Sequence, residues 1–279
     1  MQFPRRALLV SAAAAPLARF PLAAHAETTA ATIVSDWDVP GGHFYTQTAP
    51  RGAADDAGYV VSDADGLTFW RDYKALGGPT QLGFPVSGRW ESEGETFQAT
   101  EAALLHWDQG AARVYPVFRL FTQYGMDDWL EAQGVPPASP ELAANPDLPV
   151  WTRQSWLTNP ALRAAYWSAF EVDGPRRYGL PMSEPVRMGP YLAQRFERAV
   201  LQLWLDHVPG MPEPGSIVLV QVADLLRRAE MIPSSALAPQ TPPAPRPDPA
   251  RIVPAPAGAP PITNVAGQHI IVSLSRQWF

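Results

Sequence analysis

The sequence predicts an α+β fold: two duplicated small domains, each a helix, a bend, a hairpin and a helix, then a Pro-rich linker and one orphan strand. Three observations predict it. Residues 70–107 superimpose without a gap on residues 166–203 at a shift of 96, with nine identities: Gly78/Gly174, Pro79/Pro175, Gly83/Gly179, Pro85/Pro181, Ser87/Ser183, Gln98/Gln194, Glu101/Glu197, Ala103/Ala199 and Leu105/Leu201. A repeated sequence usually means a repeated fold. Apolar residues recur at helical spacing ahead of each match and at spacing two within it. Eleven of the 32 prolines fall in residues 233–261, which sets that stretch apart as an extended linker.

Residues 1–26 read as a signal peptide for Tat or Sec export. Arg5 and Arg6 precede the apolar run Ala7–Leu17, and Ala24-His25-Ala26 offers a small-x-small cleavage pattern. The paired arginines suit the twin-arginine route, whereas Pro4 and Val10 suit ordinary secretion equally. Residues 27–57 are polar and Gly-rich and are expected to wrap the first unit as loop. The first repeat domain is placed at 27–135, a connector at 136–149, the second repeat domain at 150–233, a disordered linker at 234–261, and the start of a truncated further domain at 262–279.

Each unit opens with an amphipathic helix. In the first, Phe69, Trp70 and Tyr73 take helical spacing within Leu67–Leu76; in the second, Asn159-Pro160 supplies a cap and a first-turn proline ahead of Ala161–Phe170. The helices break at Gly77-Gly78-Pro79 and Asp173-Gly174-Pro175 and enter Leu82-Gly83-Phe84-Pro85 and Tyr178-Gly179-Leu180-Pro181. Glycine permits a positive φ and the proline forces the residue before it to extend, so each bend is expected to point Phe84 or Leu180 inward. Matches at Glu101, Ala103 and Leu105 are two apart, which predicts strands over Phe97–Trp107 and Gln194–Trp204. Asp108-Gln109-Gly110 and Asp206–Gly210 then turn into return strands Arg113–Phe118 and Ser216–Val220. Helices follow near Asp127–Gln133 and Val222–Glu230, with a further helical piece at Val150–Leu157. The terminal run His269–Phe279 alternates apolar and polar residues like one half-buried strand, which cannot stand alone in water.

The two Gly-x-Pro bends, each followed by Gln98 or Gln194 and an acidic-apolar strand, resemble LGFP-type repeats of exported bacterial envelope proteins. That resemblance covers about residues 43–135 and 150–233, and it implies non-catalytic modules that hold proteins at the cell wall or extend them from it. The terminal His269–Phe279 is similar to the opening strand of an L,D-transpeptidase (YkuD-type) domain, a family that crosslinks peptidoglycan through a cysteine in a Ser-His-Gly-Cys-like motif. This sequence has no cysteine, so no catalytic residue carries over and no catalytic activity is expected of the chain. The resemblance implies an exported module at the cell wall, in the periplasm or outside the cell, with peptidoglycan or another cell-wall glycan as partner. A full-length transpeptidase and a protein-interaction module without wall binding are the alternatives.

The chemistry-bearing residues agree with a non-catalytic module. Cleavage after Ala26 removes three arginines and no acids and takes the net charge from −6 to −9, with Lys74 the single lysine, so the basic footprint of a nucleic-acid binder is missing. No run reaches the roughly 20 apolar residues of a membrane helix. The histidines follow no metal-ligand spacing, Asp63-Ala64-Asp65-Gly66 lacks most of a calcium loop, and no G-x-S-x-G elbow surrounds a serine; no cofactor or metal is expected. The residues left as ligand candidates are Gln98, Glu101 and Trp107 in the first unit and Gln194, Glu197 and Trp204 in the second. Each Gln/Glu pair can exchange hydrogen bonds with sugar hydroxyls or peptide amides, and each tryptophan can stack on a sugar ring. Alternatively, the Gln/Glu pairs brace the bend against the hairpin and the tryptophans fill small cores.

Overall fold

A computed structural model describes residues 35–168 and 174–247. The leader at 1–26, the end of the linker and the terminal segment 262–279 lie outside these residues. In chain order, β1 (Asp36–Val39), β2 (Gly42–Tyr45) and β3 (Tyr59–Ser62) precede α1 (Phe69–Ala75), α2 (Gly78–Leu82), β4 (Trp90–Ser92), β5 (Glu95–Ala99), β6 (Leu104–Asp108), β7 (Ala111–Val114), α3 (Val117–Gln123) and α4 (Asp127–Ala132). Then come α5 (Pro140–Ala144), α6 (Val150–Ser155), α7 (Pro160–Trp167), α8 (Gly174–Arg177), β8 (Val186–Met188), β9 (Tyr191–Arg195), β10 (Val200–Trp204), β11 (Ile217–Leu219), α9 (Val222–Arg228) and α10 (Ser234–Leu237). The protein is α+β, with a three-stranded antiparallel sheet, β1-β2-β3, and two four-stranded meanders, β4-β5-β6-β7 and β8-β9-β10-β11.

The N-terminal sheet replaces the loop expected over residues 27–57. Trp37, Val39 and Phe44 point into a small core while Asp36, Asp38 and His43 alternate with them, the two-residue period of a half-buried hairpin. Pro40-Gly41 closes it, with Gly41 at φ +71°. Gly42 has no room for a side chain, since a Cβ there would lie 2.2 Å from the Val61 carbonyl oxygen.

Two strand assignments also change. Phe97–Trp107 is a hairpin, not one strand: Phe97 pairs with His106 and Ala99 with Leu104 across the turn Thr100–Ala103. Gln194–Trp204 folds the same way, with Gln194 opposite Leu201. The matches two apart at Glu101, Ala103 and Leu105 therefore come from two turn residues and one strand residue. The return strand ends at Val114, ahead of Pro116, and Val117, Phe118, Leu120 and Phe121 take up helical spacing as the buried face of α3. Hence α9 corresponds to α3, not to the helix at Asp127. The longer connection before β11 pushes the offset from 96 to 105, as Leu105 pairs with Val114 and Leu201 with Leu219.

Each meander has apolar packing on both faces. One face meets its own opening helix, with Leu105 and Val114 against Phe69 and Tyr73, or Leu201 and Leu203 against Leu162 and Tyr166. The other faces meet in one core, where Phe97, Ala99 and Leu104 join Ala193 and Val200 together with α3 and α9. The helices cross over between the halves. The Phe118 N–H at the start of α3 donates to the Glu197 carbonyl (3.0 Å), and the Ala223 N–H at the start of α9 donates to the Glu101 carbonyl (3.1 Å). The 136–149 connector also enters this core through Ala138 and Leu142. Residues 234–247, placed in the linker, fold back on the N-terminal sheet: Gln240 bridges to Gly58, the Tyr59 hydroxyl donates to the Leu237 carbonyl (2.7 Å) and Trp37 Nε1 donates to the Ala244 carbonyl (3.0 Å).

Candidate binding site

The recurring residues assemble into the same polar network in both halves. Gly83 and Gly179 sit at φ +73° and +78°, a region that glycine enters without steric cost. An added Cβ would lie 2.6 Å from Cβ of Glu101 or Glu197, so close approach as well as φ requires glycine. The Glu101 carboxylate accepts from the Phe84 N–H (2.9 Å) and Glu197 from the Leu180 N–H (3.2 Å), while the Glu backbone N–H groups donate back to the Phe84 and Leu180 carbonyls (3.0 and 3.2 Å). Ser87 Oγ accepts from the Ala99 N–H, and Ser183 Oγ from the Arg195 N–H.

Gln98 and Gln194 lie beneath these bends at 0 % exposure. The Gln98 amide donates to the Val60 and Ser87 carbonyls, and the Gln194 amide to the Trp156 and Ser183 carbonyls. With two carbonyls facing each side chain, only the NH₂ end can point that way. In both cases Oε1 has no donor among the described residues. Glu101 and Glu197 are 8 % exposed, Trp204 is buried, and Trp107 is half-buried and stacked on Phe69 at 6.3 Å. The structure thus brings each Gln, Glu and Ser together around one bend and turns them inward. The expectation that Phe84 and Leu180 are the inward anchors is corrected: both are half-buried, and the buried residues are Leu82 and Val86, or Tyr178 and Met182.

A phenol completes each bend. Tyr73 donates to the Gly83 carbonyl (2.7 Å) and Tyr166 to the Gly179 carbonyl (3.1 Å). Burial pushes the Tyr73 phenol well above its ordinary range and keeps it protonated as a donor.

Several working residues have no identical counterpart and escaped the sequence reading. Arg153, 4 % exposed, spans the second bend: Nε donates to the Pro181 carbonyl (2.8 Å), one terminal nitrogen to the Leu180 carbonyl (3.1 Å) and the other to Glu197 (2.9 Å). Arg195, fully buried, reaches from β9 to Asp127 (2.7 Å) and to the Phe118 carbonyl (2.5 Å). Burial pulls its guanidinium below the usual range and Asp127 opposes that shift. The positions 96 residues before Arg153 and Arg195 are Ala57 and Ala99, so the identities at that shift carried no sign of either.

Among the described residues no group of His, Asp and Glu could hold a metal ion, and no helix is long and apolar enough to cross a membrane. His43 lies between Asp36 (3.1 Å) and Asp38 (2.8 Å), and His207 is on the surface beside Glu213. Neither faces a serine or threonine hydroxyl. Chemically, the network can hold a backbone in place: its serine hydroxyls and carboxylates accept from backbone amides, and Glu197 also accepts from Arg153. Trp151 and Trp167, by contrast, stand 73 % and 49 % exposed. Compared with known proteins, the chain matches no family model, no curated protein and no solved structure.

Proposed function

We propose that this chain is an exported, non-catalytic binding or spacer module of the bacterial cell wall, built on a duplicated unit and of the kind that accompanies a peptidoglycan L,D-transpeptidase. Its partner is peptidoglycan or another cell-wall glycan. The observation that carries the reading is the division of labour between inner and outer residues. Repeated polar groups are spent on backbone, while two large aromatic surfaces, Trp151 on α6 and Trp167 on α7, face solvent. A flat indole left in water is unfavourable unless something covers it, and the apolar face of a sugar ring suits it. The position equivalent to Trp167 in the first unit is Arg71, also exposed, so the second unit presents an indole where the first presents a charge.

Cosedimentation of the full chain with purified peptidoglycan tests the reading. Binding that falls at least about tenfold in W151A/W167A, with the fold retained, is the expected result; a chain that stays wholly in the supernatant contradicts it. A protein partner is the second reading, favoured by the aliphatic Val150 (51 % exposed) beside Trp151. In-cell crosslinking that recovers only protein would select it.

A further inference from the structure

Of the residues expected to form a free linker, 240–246 are held along the N-terminal sheet, and the contacts fall on the non-proline positions. Gln240 exchanges backbone hydrogen bonds with Gly58 (3.1 and 2.7 Å), and its side-chain oxygen accepts from the Val60 N–H (2.9 Å), so it adds to the outer edge of β3. Beyond it burial alternates as in extended chain: Pro242, Ala244 and Arg246 are half-buried, whereas Thr241, Pro243, Pro245 and Pro247 are exposed.

The groups that receive this segment surround Trp37. Ala244 packs on the cluster of Trp37, Val39 and Phe44, and its carbonyl accepts from the Trp37 indole N–H (3.0 Å). Two residues on, the Arg246 guanidinium lies 5.4 Å from the centre of the Trp37 ring and donates to the Asp55 carbonyl. Each contact selects a residue type. A methyl at 244 lets the backbone reach the indole, and a planar cation at 246 suits the ring face. The flanking prolines hold φ in the extended range before docking, so less conformational freedom is lost on binding. An aromatic face with an indole donor is a recurring receiver of extended proline-rich chain. Further along, Pro254-Ala255-Pro256 repeats Pro243-Ala244-Pro245, but Ala257 stands where Arg246 does, so the arginine distinguishes the two.

We propose that the face of the N-terminal sheet around Trp37 is a recognition site for proline-rich polypeptide of the pattern Pro-Ala-Pro-Arg. The chain's own residues 243–246 fill it, and the same pattern on another protein takes their place when they lift. Beyond Gln240 the dock rests on two hydrogen bonds, one ring contact and the packing of Ala244, a set that a competing segment of the same pattern reproduces in full. The tether favours the resident segment through its effective concentration alone, on the order of millimolar. The site is independent of the glycan surface, because neither Trp151 nor Trp167 belongs to it.

Peptide binding to the full chain tests it. A244E/R246E empties the site and leaves Trp37 in place; the probe is a fluorescent peptide of residues 241–248, Thr-Pro-Pro-Ala-Pro-Arg-Pro-Asp. We expect saturable binding by fluorescence anisotropy, at least about tenfold tighter to A244E/R246E than to the wild type, where the tethered segment competes. A peptide of residues 252–258, with Ala257 in place of the arginine, should bind about tenfold more weakly, and W37F/A244E/R246E should lose the binding. Absence of saturation in folded A244E/R246E, equal binding of the two peptides, or binding undiminished by W37F overturns the assignment. Should the W37F variant fold poorly, R246A in the otherwise native chain still decides: solvent exchange of the Trp37 indole N–H should quicken several-fold, and unchanged exchange overturns the assignment.

Discussion

The two bends solve one local problem with different chemistry. In both, a left-handed glycine precedes a Pro-fixed turn, a glutamate accepts from the backbone N–H within it, and a glutamine and a serine tie it to the hairpin. Glu101 does this with no cation within ion-pair distance among the described residues. Glu197 is held by Arg153 at 2.9 Å, with Arg119 and Arg198 at 3.7 and 3.8 Å. The bend thus needs the glycine, the acceptor and the amide. Ionic reinforcement is an addition made in one half only.

The crossing between halves divides the same way. Backbone bonds from Phe118 and Ala223 are equivalent, but among the described residues only the first is reinforced by a buried ion pair, Arg195 with Asp127. The largest expected effect breaks that difference. Asp127→Asn leaves Arg195 buried and uncompensated, which should cost about 4 kcal/mol in denaturant unfolding, whereas Ile232→Val in the core beside α9 should cost only about 1 kcal/mol. Next come the glycines. Gly83→Ala and Gly179→Ala should each cost about 3 kcal/mol, from the positive φ and the close glutamate together, and the two losses should agree within about 1 kcal/mol; a marked inequality would mean the bends are not equivalent.

A smaller effect sharpens the comparison of the carboxylates. Glu197→Gln strands Arg153 and should destabilise by about 3 kcal/mol, while Glu101→Gln weakens one charge-assisted bond for about 1 kcal/mol; chemical denaturation of the two variants reads the difference of about 2 kcal/mol. The smallest effect is pH dependence confined to one half. Burial pushes the His106 imidazole below its ordinary value, Glu95 opposing, whereas its counterpart Gln202 does not titrate. A folded state that favours neutral histidine binds fewer protons than the unfolded chain. His106 therefore contributes stability above about pH 6.5 that is lost as pH falls through the window below it. The loss should be under about 1 kcal/mol and should disappear in H106Q, measured by unfolding between about pH 5 and pH 8.

What the sequence revealed follows from which constraints repeat. Gly83, Gln98 and Glu101 were legible because each has a local job that both halves share, and shared jobs leave identities at a fixed shift. Repetition marks constraint and not exposure, so the same identities could not distinguish a ligand surface from an internal brace. The Thr100–Ala103 turn was hidden because turn and strand constraints fall two residues apart by coincidence. The N-terminal sheet was written in Trp37, Val39 and Phe44 but surrounded by Gly, Asp and Pro, which dilute the pattern. Arg195 with Asp127, and Arg177 with Gln81, join residues distant in sequence and unlike at matched positions. Nothing local predicts such pairs.

Native-state hydrogen exchange of the full chain tests most directly that the halves share one core and unfold together. Amides of β5–β6 and of β9–β10 should exchange at one common free energy, and Asp127→Asn should lower both sets equally. Protection lost in the second meander while the first stays closed would show two independent domains and contradict the account.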